Sequence, residues 1–303
     1  MKRLIAIVGP TGIGKSRLAL HLAPIYRGEI VSADSRQVYR YMDIGTAKPT
    51  PQEMAAIPHH LINIINPDED FSLAQYQGLA YRAIENNFNH DKLPFLVGGS
   101  GLYVKSVLEG WVIPGVSPDK EFRYNIEKRS HEDIEELYQE LVRVDPHAAA
   151  KIDRRNVRRV IRALEVHAKA RRPFSELGRK QPPPFDSLII GLTADRPFLY
   201  TIVDRRVDEM MEHGFVSEVE SLIKMGYHLE LPAMSGIGYR QIGQLIKGEL
   251  TREAAAQKIK TETHRFIRHQ YAWFRLDDKK IHWFDIERQG DAEIEKALAE
   301  YLK

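Results

Sequence analysis

Gly9-Pro10-Thr11-Gly12-Ile13-Gly14-Lys15-Ser16 follows a short apolar run, Leu4-Ile5-Ala6-Ile7-Val8, and leads into the helix-like Arg17-Leu18-Ala19-Leu20-His21-Leu22. The spacing is that of a phosphate-binding loop set between a strand and a helix. Gly9 and Gly14 let backbone N–H groups turn inward around phosphate oxygens, and the helix beginning near Lys15 aims its positive end at the same anion. Lys15 adds a full charge, and Ser16 offers a hydroxyl where a phosphate-bound Mg²⁺ needs an oxygen ligand. An ordinary glycine-rich turn requires neither of these two residues. By itself the loop specifies only a ligand with two or more phosphates. Kinases, NTPases and transferases that expel diphosphate all satisfy it.

The 303 residues suffice for about two domains, and the apolar and charged fractions are ordinary for a globular chain. A net charge of +2 announces no nucleic-acid partner, so any basic surface has to be local. Zero cysteines exclude disulfides and Cys-ligated zinc and suit a reducing compartment. Met1-Lys2-Arg3 before apolar residues imitates a signal peptide, but Gly9-Pro10 ends the run far short of one. No apolar stretch approaches the roughly 20 residues that span a bilayer. The expectation is a cytoplasmic protein without membrane attachment.

Beyond the loop, Glu29-Ile30-Val31-Ser32-Ala33-Asp34-Ser35 reads as a strand whose carboxyl end carries an acid. In open α/β sheets ligands sit outside the carboxyl ends of strands, so Asp34 falls beside the phosphates if the two strands are neighbours. Alternatively, Asp34 or Ser35 caps a helix or closes a turn. Asp43-Ile44-Gly45-Thr46-Ala47-Lys48-Pro49 reads as a loop, and His59 to Ile65 as a strand whose adjacent histidines point to opposite faces. A helix over residues 72–89 precedes Leu93 to Val97, a buried strand running into Gly98-Gly99-Ser100-Gly101. That turn either has Ser100 as a helix cap or lets backbone approach a ligand closely.

Composition shifts at Trp111 to Pro118 and again at Gln181 to Phe185, both linker-like. The reading is an α/β core over residues 1–116, a helical insertion over 117–184, and the core resumed over 185–303. Ser117-Pro118 and Asp145-Pro146 have the form of an N-cap followed by an N1 proline. Residues 151–180 hold eleven Lys/Arg against three Asp/Glu, a local balance of +8. Within them Val157, Ile161, Leu164 and Ala168 form one apolar stripe, while Arg155, Arg158, Arg159 and Arg162 take another side. Such a face is either simply solvated or suits a phosphate backbone. Later stretches give a strand over Ser187 to Thr193, a helix over Tyr200 to Gly214, and a glycine-rich loop over Met234 to Gln241 that opens a helix. Thr251 starts a long helix through Arg275 with Ile259, Thr263, Phe266, Ile267, Gln270 and Phe274 inward. His264 and His269, about 140° apart on it, do not share a metal. A strand over Ile281 to Phe284 and a terminal helix finish the chain.

Taken in order, Gly9 to Ser16, Ser32-Ala33-Asp34-Ser35, Met42 to Pro49, Gly98 to Tyr103, Arg162-Ala163-Leu164-Glu165-Val166 and Gly238-Tyr239-Arg240-Gln241 closely resemble the tRNA dimethylallyltransferases, also called tRNA isopentenyltransferases or the IPP transferase family. The string Asp43 to Pro49 is far more specific than the phosphate loop. Departures are modest: Gly12-Ile13 stands where Ala-Ser is frequent, Ser16 and Ser100 replace threonines, and His269-Gln270 replaces Arg-Gln. The resemblance implies a P-loop NTPase-like α/β fold with a mainly parallel sheet and a helical insertion. It implies transfer of a dimethylallyl group from dimethylallyl diphosphate to N6 of the adenosine 3′ of the anticodon. Lys15, Ser16 with Mg²⁺, and Arg206 (with Arg205 as the other candidate) would then serve the departing diphosphate. Asp34 would take the proton from the amine. The resemblance further implies tRNA contacts at Asp34, Ser35, Arg36, Gln37, Ser100, Gly101, Arg123, Arg159 to Ala163 including Arg162, and Gly238-Tyr239-Arg240-Gln241; the partner is the tRNA anticodon stem-loop, and a monomer is expected. Two rivals remain at this level: a small-molecule nucleotide kinase with a mobile inserted domain, and an isopentenyltransferase acting on free AMP or ADP. Neither needs a strongly basic insertion.

Overall fold

The computed structural model describes residues 2–116, 119–132, 134–177 and 179–303. The chain divides into two compact units: Met1–Leu108 with Pro183–Lys303, and Glu109–Pro182.

The first unit is an α/β layer structure built on six strands: β1 (Arg3–Val8), β2 (Gly28–Ser32), β3 (His59–His60), β4 (Leu93–Val97), β5 (Asp186–Thr193) and β6 (Ile281–Asp285). Every pairing is parallel and the order is β3-β2-β4-β1-β5-β6. The apolar run of β1 explains its central place. Leu4, Ala6 and Val8 point into one core and Ile5 and Ile7 into the opposite one, so both faces of the strand are covered. Helices Leu73–Asn89 and Gly101–Leu108 cover the first face, and Lys15–Ile25 and Asp291–Leu302 the second. β4 separates β1 from β2, so the strands that end in the phosphate loop and in Asp34 are not direct neighbours.

Three local expectations change in this unit. Phe266, expected on the inner side of the long helix, is 39% exposed. The strand after His60 does not continue, because Leu61 and Asn63 take left-handed conformations and residues 63–65 bond back to Gln37 and Val38. The helix expected from Tyr200 starts earlier, at Arg196, with proline in its first turn. Ser72, Thr251 and Asp145 cap their helices with side-chain oxygens. Among the described residues no helix is long and apolar enough to cross a membrane.

The second unit is helical, with Lys120–Glu132, Ile134–Val144, Pro146–Ala149, Val157–Ala170 and Phe174–Leu177 around a core of its own. The helix start expected at Ser117-Pro118 lies outside the described residues. The two linker-like stretches pair with each other: Val112 N–H donates to Arg179 O and Gln181 N–H to Gly110 O, around an antiparallel bridge of Trp111 and Lys180. On the helix Val157–Ala170 the buried stripe is Val160, Ile161, Ala163 and Leu164, and the expected Ala168 is exposed.

Glu165, 0% exposed, organises this unit. It accepts from Arg123 Nε and Nη2 at 2.8 Å, from Arg162 Nη1 at 2.6 Å and from the Asp119 amide at 2.7 Å. Burial resists its ionisation, but the Arg123 bond, the Asp119 amide and Arg162 carry its pKa down to about 2. The folded value lies below the unfolded one, so this stabilisation is complete above about pH 4.5 and is lost as pH falls toward 2. Hydrogen exchange over residues 120–170 is expected to accelerate across that window. Glu165→Gln is expected to cost the unit about 3 kcal/mol at neutral pH, as removal of one member of a buried ion pair does, and to make the acid response shallower. Unchanged protection in the variant would show that the two arginines stand without Glu165.

Candidate active site

Three strand ends build the site. β1 delivers the phosphate loop, β2 delivers Ala33-Asp34-Ser35, and β4 between them delivers Gly98-Gly99-Ser100. Glycine at the end of β4 is what lets three segments meet: a Cβ on Gly98 would lie 2.1 Å from Ala33 O, and one on Gly99 would lie 2.2 Å from Gln270 Nε2. Gly14 takes φ +94 at the N-cap of Lys15–Ile25 and offers no capping side chain. The first-turn amides are thereby left to an outside acceptor.

Two cavities lie at these ends. One, of about 310 Å³, has a polar lining of Thr11, Lys15, Asp34, Ser35, Arg36, Thr46, Ser100, Arg206 and Gln270, and an apolar one of Val207, Met210, Phe215, Ile237, Ile259 and Phe266, with Gly45, Gly99 and Gly238. The other, of about 260 Å³, is lined by Thr11, Gly12, Gly14, Lys15 and Ser16 of the phosphate loop, by Gln37, Ala47 and Gly98, and by Asp34, Thr46 and Arg206. The residues common to both are Thr11, Lys15, Asp34, Thr46 and Arg206.

Lys15 Nζ donates to Pro10 O at 2.7 Å. Burial pushes its pKa down to about 8, against the pull of Asp34, with Arg206 adding to the decrease. Arg206 donates through Nη2 to Thr11 Oγ1 at 2.9 Å, and its buried Nε has no protein partner among the described residues. Arg205 is 77% exposed and pairs with Glu209, so it is Arg206 that faces the cavities. Asp34 Oδ1 accepts from the Arg36 amide at 2.8 Å, a turn closure that fixes the carboxylate's orientation. Both sequence-level readings of Asp34 therefore hold together: it closes a turn and it faces the phosphate loop. Ser100 does not cap the helix that follows with its hydroxyl; Ser100 Oγ accepts from the Ser35 amide at 3.0 Å and ties β4 to the Asp34 turn.

The remaining expected residues separate by position. Ser35, Arg36, Ser100 and Gly238 line the larger cavity and Gln37 the smaller. Gly9 lies against Leu192 O, Ile13 is core, and Gly101 packs on Trp273. Tyr239 and Gln241 are buried: Tyr239 Oη donates to Glu218 Oε1 at 2.7 Å, and Gln241 Oε1 accepts the Gly238 amide at 2.8 Å while its Nε2 has no protein partner among the described residues. Arg240 is exposed and paired with Glu262. In the helical unit, Arg123 and Arg162 are bound to Glu165, and Ala163 is core. Arg158 and Arg159 are exposed, without an ion-pair partner among the described residues.

Sequence reasoning missed the frame of the site. The loop Asp43 to Pro49 is held by Glu218, whose carboxylate accepts from the amides of Asp43, Ile44 and Gly45 at 2.8, 2.6 and 3.2 Å. Lys48, its side chain 2% exposed, donates to Tyr39 O, Asp43 Oδ1 and Asn63 Oδ1, one acceptor for each N–H. Glu218 stands in an amphipathic helix with nothing in its spacing to mark it. Gln270 was legible as a polar residue on the inner face of a helix and as the second member of a pair that resembles Arg-Gln, and neither signal placed it in the site.

The sequence matches the model of the IPP transferase family over residues 37–277 and that of the isopentenyl transferases over residues 2–63. It is 51% identical over 300 residues to a tRNA dimethylallyltransferase of Dehalococcoides mccartyi, covering 99% of this chain and 92% of that protein. It is 53% identical over 273 residues to one from Roseiflexus castenholzii, covering 90% and 89%. The crystal structure of the full-length tRNA isopentenylpyrophosphate transferase of Bacillus halodurans is similar with a TM-score of 0.73 at 38% identity, over 100% of this chain and 96% of that one. Structures of a eukaryotic dimethylallyltransferase acting on tRNA are similar with a TM-score of 0.85 at 28% identity, over 98% and 78%.

Lys15 is the group here that titrates near neutrality. It is charged below about pH 8, with Asp34 and Arg206 as its facing charges. Binding of inorganic diphosphate is therefore expected to weaken as pH rises through about 8, by up to about tenfold per unit. Lys15→Arg, charged throughout, reports the ligand's own ionisation, and titration calorimetry of both proteins from pH 6.5 to 9.5 gives the comparison. Parallel curves would show that Lys15 keeps its proton across this range.

Proposed function

The chain belongs to the IPP transferase family, the tRNA dimethylallyltransferases, and from that premise we propose how its own residues carry out dimethylallyl transfer to N6 of the adenosine 3′ of a tRNA anticodon. The observation that carries the reading is the junction of the two cavities, where Lys15, Arg206 and Asp34 line both. Two cations and a carboxylate suit a displacement in which charge grows on a leaving group while a proton must leave the nucleophile.

The diphosphate is cradled by the loop amides from Gly12 to Ser16, with Lys15 and Arg206 taking up the charge that develops as the C1–O bond breaks. The unpartnered Arg206 Nε supplies a donor for an oxygen of that group. The dimethylallyl chain lies along the apolar lining of Val207, Met210, Phe215 and Ile237. The adenine N6 lone pair attacks C1, and the N6 proton passes to Asp34, whose orientation the Arg36 amide has already fixed. Ser35 and Ser100 flank the acceptor's approach. Because the target amine has to enter a recessed site, its base leaves the anticodon-loop stack.

A divalent cation fits the phosphate side. Ser16 is exposed on the smaller cavity, its hydroxyl without a hydrogen bond among the described residues, and a single hydroxyl with diphosphate oxygens and water would be the hard, sparse donor set that Mg²⁺ takes. When bound it withdraws charge from the leaving group. The helical unit grips the anticodon stem-loop through Arg158 and Arg159, exposed arginines without an ion-pair partner among the described residues. The cytoplasm, where tRNA is abundant, is its place.

Incubation with labelled dimethylallyl diphosphate and Mg²⁺ is expected to label unmodified tRNA and leave free AMP unlabelled; label in AMP alone would overturn the acceptor. Asp34→Asn keeps an acceptor for the Arg36 amide but no base. Its single-turnover rate is expected to fall by about 10²-fold or more with diphosphate affinity retained. An unchanged rate removes Asp34 from the proton transfer. Arg158→Glu with Arg159→Glu is expected to weaken tRNA binding and to lower the slope of log affinity against log salt by about two. Unaltered affinity would return this surface to plain solvation.

A further inference from the structure

Gln270 is a buried amide, 3% exposed, on the long helix Arg252–Trp273, and it lines the larger cavity. Both ends of its side chain are engaged, and each reaches a different strand end. Oε1 accepts the Thr11 amide of the phosphate loop at 2.8 Å, and Nε2 donates to Gly99 O beyond β4 at 3.0 Å. The amide's orientation is unambiguous, since a backbone N–H can only donate and a carbonyl can only accept. Residue 99 is matched to it: any Cβ there would meet Nε2 at 2.2 Å.

The two bonds extend into the two halves of the reaction centre. Thr11 accepts Arg206 through its hydroxyl, so one branch ends on the cations for the leaving group. Gly99 precedes Ser100, whose hydroxyl holds the Ser35 amide next to Asp34, so the other branch ends on the base. β1 and β2 are not adjacent in the sheet, and their ends are related only through the end of β4, where Gly98 N–H donates to Ile7 O and Ser100 N–H to Ala33 O. Gln270 carries that connection past the strand end to the Thr11 amide of the phosphate loop itself.

We propose that Gln270 is a positioning residue that sets the spacing between the departing diphosphate and the attacking amine by clamping the Thr11 amide to the Gly99 carbonyl. This rests on the displacement described above. Gln270 touches neither reacting atom in that scheme; its effect is on alignment, to which such reactions are sensitive at about 10²-fold per ångström. A misaligned centre also changes the fate of the activated allyl group. As the C1–O bond breaks and diphosphate leaves with the electron pair, water can form the new bond to C1 and lose its proton to solvent, giving dimethylallyl alcohol instead of modified tRNA.

Gln270→Met has a similar length and neither bond; Gln270→Glu keeps an acceptor for Thr11 but faces Gly99 O with another oxygen. Wild type and both variants are compared for affinity to inorganic diphosphate, affinity to unmodified tRNA, single-turnover transfer with both substrates saturating, and alcohol formed per transfer. Both variants are expected to hold each substrate within about threefold. Transfer should fall by about 10²-fold in Gln270→Met, and less in Gln270→Glu. The alcohol-to-transfer ratio should rise about tenfold or more in Gln270→Met. Transfer within threefold of wild type in Gln270→Met overturns the proposal, and so does a loss matched by loss of diphosphate binding with the ratio unchanged. Should Gln270→Met fail to fold, Gln270→Glu decides by the same ratio. Wild-type protein that labels no tRNA would instead sink the function on which the proposal rests.

Discussion

Two enclosed cations share one carboxylate at the centre of this molecule. Lys15 and Arg206 line both cavities, and Asp34 is the acid that faces them there. Burial opposes their charge, and the lowered pKa of about 8 for Lys15 corresponds to about 3 kcal/mol for keeping it protonated relative to a lysine in water. A protein interior tolerates such an arrangement when the surroundings are fixed and a ligand of opposite charge belongs there. The proposed diphosphate would offset that cost, and the apolar lining of Val207, Met210, Phe215 and Ile237 is left for the allyl chain. Much else in the α/β unit can be understood as holding these three groups still.

The sheet accounts for the placement. A purely alternating β1, divided between two cores, fixes where the phosphate loop emerges, and this was readable from Leu4 to Val8 alone. Strand order was not readable: periodicity gives faces, and nothing in the run from Glu29 to Ser35 says that β4 lies between it and β1. The expected neighbourhood of Asp34 and the loop is therefore real for a different reason. Gly98 and Gly99 remove the bulk that would keep the strand ends apart, and long-range bonds from Ser100 and Gln270 close the gap. The extension of β3 to Ile65 failed similarly, since an apolar run looks identical whether it pairs with a strand or folds back on a loop through left-handed residues such as Asn63.

Charge patterning was legible in sum but not residue by residue. The excess of arginine over residues 151–180 is present, yet its members have different duties. Arg162, together with Arg123 from outside that stretch, neutralises a fully buried glutamate, and reversing either would first cost the fold of the helical unit. Arg158 and Arg159, one turn of the helix earlier than Arg162, hold no such partner among the described residues. Sequence alone cannot tell these apart, because the deciding carboxylate, Glu165, sits on the same helix as Arg162 and looks from its spacing like one more surface charge.

The string from Asp43 to Pro49 teaches the reverse lesson about specificity. It is the most distinctive run in the chain, yet its most distinctive side chain, that of Lys48, is buried and satisfied by three oxygens of the protein. Glu218 secures the same loop through its amides, independent of which side chains it carries. What reaches the cavities is Gly45, Thr46 and Ala47, small residues that leave room where a ligand must pass. A motif can therefore be diagnostic of a chemistry without performing it. Here the constraint on sequence comes from having to wedge a short loop between a phosphate cradle and a carboxylate, and few combinations of a lysine tether, a threonine and two small neighbours meet it.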